Sequence, residues 1–141
     1  MRDFIGMNLP IASIRGLEHE VREQLEAAGI TDTEQLFEQA KTEQQRRELA
    51  HRLGTTPHVI KEAVNRADLL RIRGIGAAFS NLLEEAGVNS CKELQHRIPE
   101  HLLQTLKQLQ ASTKIAHHAP TLADVTEWIA AAKTLAATSP E

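Results

Sequence analysis

The sequence predicts an all-α protein built from two similar helical units, and three observations lead to this class. Aromatic residues make up 3% of the 141 residues and Tyr is absent, so the core must be aliphatic. The many Leu, Ala, Glu, Gln, Lys and Arg residues favour helix over strand, and the β-branched residues never form an alternating run. Finally, one stretch of the chain recurs further on in diverged form.

The repeat aligns residues 14–36 with residues 72–94 at an offset of 58. Eight of the 23 aligned pairs are identical, where chance gives about one or two, so we interpret the repeat as a duplication. We predict an N-terminal segment at residues 1–10, a first unit at 11–70 and a second unit at 71–137. The identical pairs are Ile14/Ile72, Arg15/Arg73, Gly16/Gly74, Leu25/Leu83, Glu26/Glu84, Ala28/Ala86, Gly29/Gly87 and Leu36/Leu94.

Capping residues place the individual helices in chain order. Thr42 and Thr121 each stand three residues before a Gln or an Asp, which is the spacing of a reciprocal N-cap pair. Gly54 is typical of a helix stop, and Pro57 and Pro99 suit the first position of the helix that follows. The predicted helices lie near residues 18–28, 33–40, 43–53, 57–70, 77–86, 91–97, 100–111 and 122–137.

Composition excludes several classes of protein. Every apolar run is far shorter than the roughly 20 residues that cross a bilayer, and no signal segment follows Met1, so we expect a cytoplasmic protein with no membrane role. The single Cys91 forms no internal disulfide, and no two histidines have the i,i+4 spacing of a helical zinc pair. We therefore predict no metal and no cofactor. No motif positions a nucleophile, a base and an orienting group, so we expect neither catalysis nor a small-molecule substrate.

Charge is unevenly distributed along the chain. The net charge is −3, but residues 41–73 carry eight basic and four acidic groups. The simplest interpretation is a solvated helix face with i,i+4 ion pairs such as Glu43 with Arg47 and Glu48 with Arg52. The alternative is a surface that attracts a polyanion.

A Gly-Ile-Gly turn follows this basic segment at residues 74–76. Glycine tolerates positive φ, and two glycines on either side of Ile75 as a buried plug leave backbone N–H groups facing outward. The next helix begins there, so the positive end of its dipole adds to these amides, a combination that suits a phosphate oxygen. The alternative is that Gly74 and Gly76 only let two helices turn.

The turn, with the small residue Ser80 four positions after Gly76, resembles the helix-hairpin-helix motif. Over residues 11–136 the chain resembles a bacterial family of tandem helix-hairpin-helix proteins, chiefly at residues 65–72, 85–88 and 128–133. The resemblance implies two diverged helix-hairpin-helix units of SAM-like fold, packed pseudo-symmetrically. It implies no activity, although families with this hairpin commonly hold the DNA backbone without reading bases.

The resemblance also implies a candidate nucleic-acid site on the second hairpin, with duplex DNA or structured RNA as the partner. Active hairpins often carry Lys or Arg after the glycines, where this chain has alanines, so we expect weak and salt-sensitive binding. The candidate residues are Arg71, Arg73, Gly74, Ile75, Gly76, Ala77 and Ala78.

The first copy of the turn departs from the pattern. Glu18 replaces the second glycine, and Arg22 stands at the small-residue position. A carboxylate there would repel phosphate and cap the helix start, so we interpret the first hairpin as structural. Together with the acidic balance, this departure supports a second hypothesis, in which the chain is a protein-interaction or scaffold module.

Overall fold

A computed structural model describes residues 7–14 and 16–140, and in these ranges the chain is all-α without a strand. The predicted class is therefore confirmed. Each predicted helix corresponds to an observed one, with bounds that differ by at most three residues. The helices are α1 (His19–Ala27), α2 (Thr33–Gln39), α3 (Glu43–Leu53), α4 (Pro57–Leu70), α5 (Gly76–Glu85), α6 (Cys91–Leu94), α7 (Pro99–Thr113) and α8 (Leu122–Leu135), with 3-10 turns at Ile11–Ser13 and Ala136–Thr138.

The predicted capping signals fix most of these bounds. Thr42 and Thr121 both form reciprocal capping boxes, in which the hydroxyl accepts from the third helical amide and the third side chain accepts from the cap amide. Gly54 closes α3 with φ 70°, and α4 and α7 begin at Pro57 and Pro99. Local sequence signals therefore determine where these helices start and stop.

Removal of one cap gives a direct test of this conclusion. We expect Thr121→Ala to lower the free energy of unfolding by about 1 kcal/mol, because the Asp124 amide loses its acceptor, Oγ1 of Thr121 at 3.1 Å. Urea denaturation measures the change. Thr126→Ala, the same replacement at an exposed position inside α8, is the matched control. An equal loss in both variants would show that helix propensity, and not the cap, accounts for the effect.

The buried apolar side chains form two clusters that meet at α4. One cluster extends from Ile11 to Leu70, and the other extends from Leu69 to Ala136. Adjacent residues of α4 thus face different clusters, and this one helix contributes to both. The predicted duplication and the predicted boundary between the two units stay predictions.

The N-terminal segment lies along the start of α2 in its described part, while residues 1–6 lie outside the described residues. The Leu9 amide donates to Oγ1 of Thr33 at 3.0 Å, and the Thr33 amide donates to the Leu9 carbonyl at 2.8 Å. The Met7 amide donates to the Arg71 carbonyl at 2.9 Å. The segment therefore connects α2 with the residue that follows α4.

Candidate functional site

The Gly-Ile-Gly turn lies at the surface between α4 and α5. Gly74 has φ 96° and Gly76 has φ 62°, values that other residues adopt only with strain, and both glycines are exposed. Ile75 between them is 1% exposed and belongs to the cluster of the second half. The predicted burial of Ile75 is confirmed, and the glycines on either side of it are exposed.

Helix α5 begins at Gly76 without a capping side chain. Its N-cap residue is Ile75, which has no side-chain acceptor, whereas α2, α3, α4, α6 and α8 each begin with a Ser, Thr or Asp that accepts from the helix. The first amides of a helix have no partner within it. The amides of Gly76, Ala77 and Ala78 therefore stand at the positive end of the α5 dipole with no side chain to satisfy them, and the two alanines are half-buried.

The two predicted cations of the site differ in placement. Arg73 is exposed and forms no ion pair within residues 7–14 and 16–140. Arg71 is 6% exposed, and its guanidinium points inward, with Nη2 at 2.6 Å and Nε at 3.1 Å from Oδ1 of Asp68. Its Nη1 donates to Oγ1 of Thr138 at 2.8 Å, and Nη2 also donates to the Leu135 carbonyl at 2.9 Å.

Arg71 therefore does not belong to the exposed face of the turn, which corrects its assignment to the candidate site. Its donors are engaged by a buried carboxylate and by the C-terminal turn. The i,i+3 spacing of Asp68 and Arg71 is a local signal of this pair in the sequence. The partners from residues 135–139 are more than 60 positions away, and no local pattern indicates them.

Asp68 is the centre of this buried network. It is 1% exposed, and besides Arg71 it accepts from the Ser139 hydroxyl at 2.9 and 3.0 Å. Its Oδ2 also accepts from the Cys91 amide at 2.8 Å, at the start of α6. The carboxylate thus joins α4, α6 and the C-terminal segment, and it accepts from three groups, of which the Arg71 guanidinium compensates its charge.

Cys91 is fully buried beside this carboxylate. Burial raises the pKa of its thiol to about 12, and the negative charge of Asp68 adds to the rise. Sγ lies 3.4 Å from the Asp68 carbonyl oxygen. Because the thiolate is the reactive form, the folded protein holds this group in an unreactive state.

We expect Cys91 to resist thiol reagents in the folded protein at mildly alkaline pH. The thiol stays protonated well above the pH at which an ordinary cysteine ionises, and no reagent reaches it without local opening. Labelling with a chromogenic disulfide should therefore be slow in buffer and complete in denaturant. Rapid labelling of the folded protein, with the circular dichroism spectrum unchanged, would contradict this placement.

The basic segment at residues 41–73 does not present all its charge at the surface. Arg46 is buried, and its Nη1 donates to the Ala40 and Lys41 carbonyls at 3.0 and 3.1 Å, at the end of α2. The predicted pair of Glu43 with Arg47 is present at 2.8 Å. The predicted partner of Arg52 instead accepts from Gln44, and that ion pair is absent from the described residues.

The Arg66 side chain lies against the first turn of the repeat, where Gly16 is exposed. Gly16 has φ 80°, and the Arg66 guanidinium lies where a Cβ atom at Gly16 would be. Arg66 also pairs with Glu84 of α5, Nε to Oε2 at 2.7 Å and Nη2 to Oε1 at 2.8 Å. The hydrogen bond to Glu84 is the largest cause of a raised pKa at this guanidinium.

Glu18 does not have the predicted capping role. It is the N-cap residue of α1, but its side chain accepts no hydrogen bond from the helix. The side chain that contacts the first turn is therefore that of Arg66, which reaches Gly16 from α4, and the local carboxylate does not cap the helix. No signal near Gly16 in the sequence indicates this contact.

The described residues set two further limits on the chemistry. They contain no group of three His, Cys, Asp or Glu side chains placed to hold a metal ion. Within the same ranges, none of the helices combines the length and the apolar character that a membrane span requires.

The fold and the turn define a small all-α protein whose Gly-Ile-Gly turn lies exposed between α4 and α5. A family model described as a domain of unknown function (DUF4332) matches residues 15–135, and the chain belongs to this family. A search of curated proteins found no match, and neither did a search of solved structures.

Proposed function

We propose that this protein is a non-catalytic helix-hairpin-helix module that binds the backbone of duplex DNA or structured RNA through its second turn. The observation that carries the proposal is the start of α5, a helix without a capping side chain, where one exposed positive-φ glycine precedes the helix and a second is its first residue. Outward amides at the positive end of a helix dipole suit a phosphate oxygen. Arg73, which is exposed beside them, supplies the nearest positive charge.

The expected affinity is low. With Arg71 committed to the interior, the turn offers the amides and one cation, enough for about one or two phosphates. Each neutralised phosphate contributes about −0.9 to the slope of log affinity against log salt. Arg73 is the one charged member left at the turn, and neutral amides release no counterion, so a slope of about −0.9 predicts about a three- to fourfold loss of affinity between about 50 and 200 mM salt. Contacts of this kind carry no base preference, so unrelated duplexes should bind alike.

Gly76→Glu tests the turn itself, and fluorescence anisotropy with a labelled duplex at low salt is the measurement. The variant copies the residue that the first repeat carries at this position, and the site has room for the side chain because no atom lies within 4 Å of a Cβ built there. We expect binding to be lost, because the carboxylate repels phosphate and competes for the amides. Gly76→Gln, with the same backbone strain but no charge, is the matched control and should retain more affinity. Unchanged binding by the Glu variant would exclude this surface.

A charge reversal at Arg73 tests whether the contact is local. We expect Arg73→Glu to weaken binding and to reduce the salt slope by about one, as the loss of a single phosphate contact does. Arg52→Glu makes the same change at an exposed position of α3. Equal losses in the two variants would mean that the whole basic segment attracts the duplex without a defined site.

The alternative is a protein-interaction module on the same fold. The inward placement of Arg71 and Arg46 and the net charge of −3 favour it, because they lower the positive potential available to a polyanion. Affinity capture from lysate with and without nuclease separates the two hypotheses. A stoichiometric protein that remains after nuclease treatment supports the alternative, and loss of every partner supports nucleic acid.

A further inference from the structure

Helix α8 places the side chain of Trp128 against Gly74 of the second turn. A Cβ atom built on Gly74 would lie 3.4 Å from Nε1 of Trp128, so the indole nitrogen lies against the turn. The rest of the ring is held in the cluster of the second half, and only 3% of the residue is exposed. A polar atom of an otherwise buried side chain is thus placed at the candidate site.

The indole N–H has no acceptor among the described residues, although a buried tryptophan usually finds one. The one side-chain polar atom there that is both fully buried and without a partner is Nε of Arg22. The nitrogen of Trp128 is therefore not sealed in the interior. The nitrogen atom retains some solvent-exposed surface, and Gly74 is its neighbour at the turn.

Neighbouring rings fix the direction of this donor. The Phe79 ring lies 5.3 Å from the Trp128 ring, and the His118 ring lies 5.8 Å from Phe79 on its edge. An indole packed in this way cannot turn its N–H elsewhere without disturbing the cluster. The glycine at 74 leaves the nitrogen uncovered, because any side chain there would begin 3.4 Å from it.

We propose that the N–H of Trp128 donates to the same phosphate that the start of α5 receives, so that α8 completes the site. This inference rests on the proposed function, which it deepens by adding a neutral donor from outside the turn. The amides of α5 and the indole then approach one phosphate group from two elements. A neutral donor releases no counterion, so its contribution to affinity does not depend on salt as that of Arg73 does.

The indole resonance of the full chain provides the most direct test. Trp128 is the only tryptophan, so a ¹⁵N-labelled sample gives one indole cross-peak. We expect this peak to shift during titration with a short duplex at low salt, to saturate together with the anisotropy signal, and not to move in Gly76→Glu. A parallel titration with inorganic phosphate distinguishes a backbone phosphate from a free oxyanion.

Trp128→Phe removes the donor while it keeps an aromatic ring against Phe79. We expect about a two- to tenfold loss of duplex affinity, the worth of one hydrogen bond, with an unchanged salt slope. If this variant folds poorly, the peak titration on the unmodified chain decides alone.

The outcomes separate the two proposals. Suppose that the chain binds duplex and that Gly76→Glu abolishes this binding. A stationary indole peak, or full affinity in a folded Trp128→Phe variant, would then overturn the role of Trp128 and leave the proposed function standing. No duplex binding at all would overturn both. A peak that moves with inorganic phosphate but not with duplex would overturn the nucleic-acid partner and keep the indole as an anion donor.

Discussion

Asp68→Ala is expected to lower the free energy of unfolding by about 3–5 kcal/mol, as the loss of one partner from a buried ion pair does. The variant leaves the Arg71 guanidinium 6% exposed with no counter-charge. It also removes the acceptor of the Ser139 hydroxyl and of the Cys91 amide, both of which are buried. Equilibrium urea denaturation, followed by circular dichroism, measures the change.

The matched control is Glu43→Ala, which breaks the ion pair with Arg47 on the surface of α3. Both side chains of that pair are largely exposed, so the expected loss is below about 1 kcal/mol. Asp68→Asn keeps the shape of the side chain and loses the charge. Its loss of unfolding free energy should lie between those of Asp68→Ala and Glu43→Ala. Similar losses for Asp68→Ala and Glu43→Ala would contradict the burial of the network.

Leu69→Ala and Leu70→Ala should each cost about 2–5 kcal/mol, the range for a leucine truncated in a packed core. Both side chains are fully buried, but Leu69 packs in the cluster of the second half and Leu70 in that of the first. Because both leucines lie on α4, unfolding of this helix removes packing contacts from both clusters at once. We therefore expect a single unfolding transition in both variants, shifted as a whole to lower urea.

Two spectroscopic probes show whether the two clusters unfold in one transition or separately. The fluorescence of Trp128 reports on the second cluster, and far-ultraviolet circular dichroism reports on all the helices. Leu122→Ala, at an exposed position at the start of α8, is the control and should change stability by about 0.5 kcal/mol or less. If Leu70→Ala shifted the dichroism but not the fluorescence, the two clusters would be independent.

The sequence was sufficient where the signal is local. Thr42, Thr121, Gly54 and the helix-starting prolines act on residues within one turn of themselves, and the helices they bound appear where predicted. The burial of Ile75 and the positive φ of its flanking glycines follow from the same kind of short-range constraint. Eight helices could therefore be placed without knowledge of their packing.

The charged residues could not be placed in this way, because their partners come from distant parts of the chain. The position of Arg71 before the turn predicts an exposed side chain. Its guanidinium instead donates to the hydroxyl groups of Thr138 and Ser139 and is buried. Arg66 contacts Gly16 and binds Glu84, a pairing that depends on how α4 packs against α5. The position of Trp128 against Gly74 is a product of the same long-range packing.

Met7 and Ser139 both form hydrogen bonds to Arg71. Met7 donates to the backbone of Arg71, and Ser139 holds the side chains of Arg71 and Asp68. Because both contacts meet at Arg71, we expect the loss of either one to loosen the packing around this residue and thereby to weaken the other. We therefore expect the backbone amides of residues 7 and 139 to gain or lose hydrogen-exchange protection together. A bulky tag fused close to either residue would disturb the buried contacts of Arg71 as well as the surface.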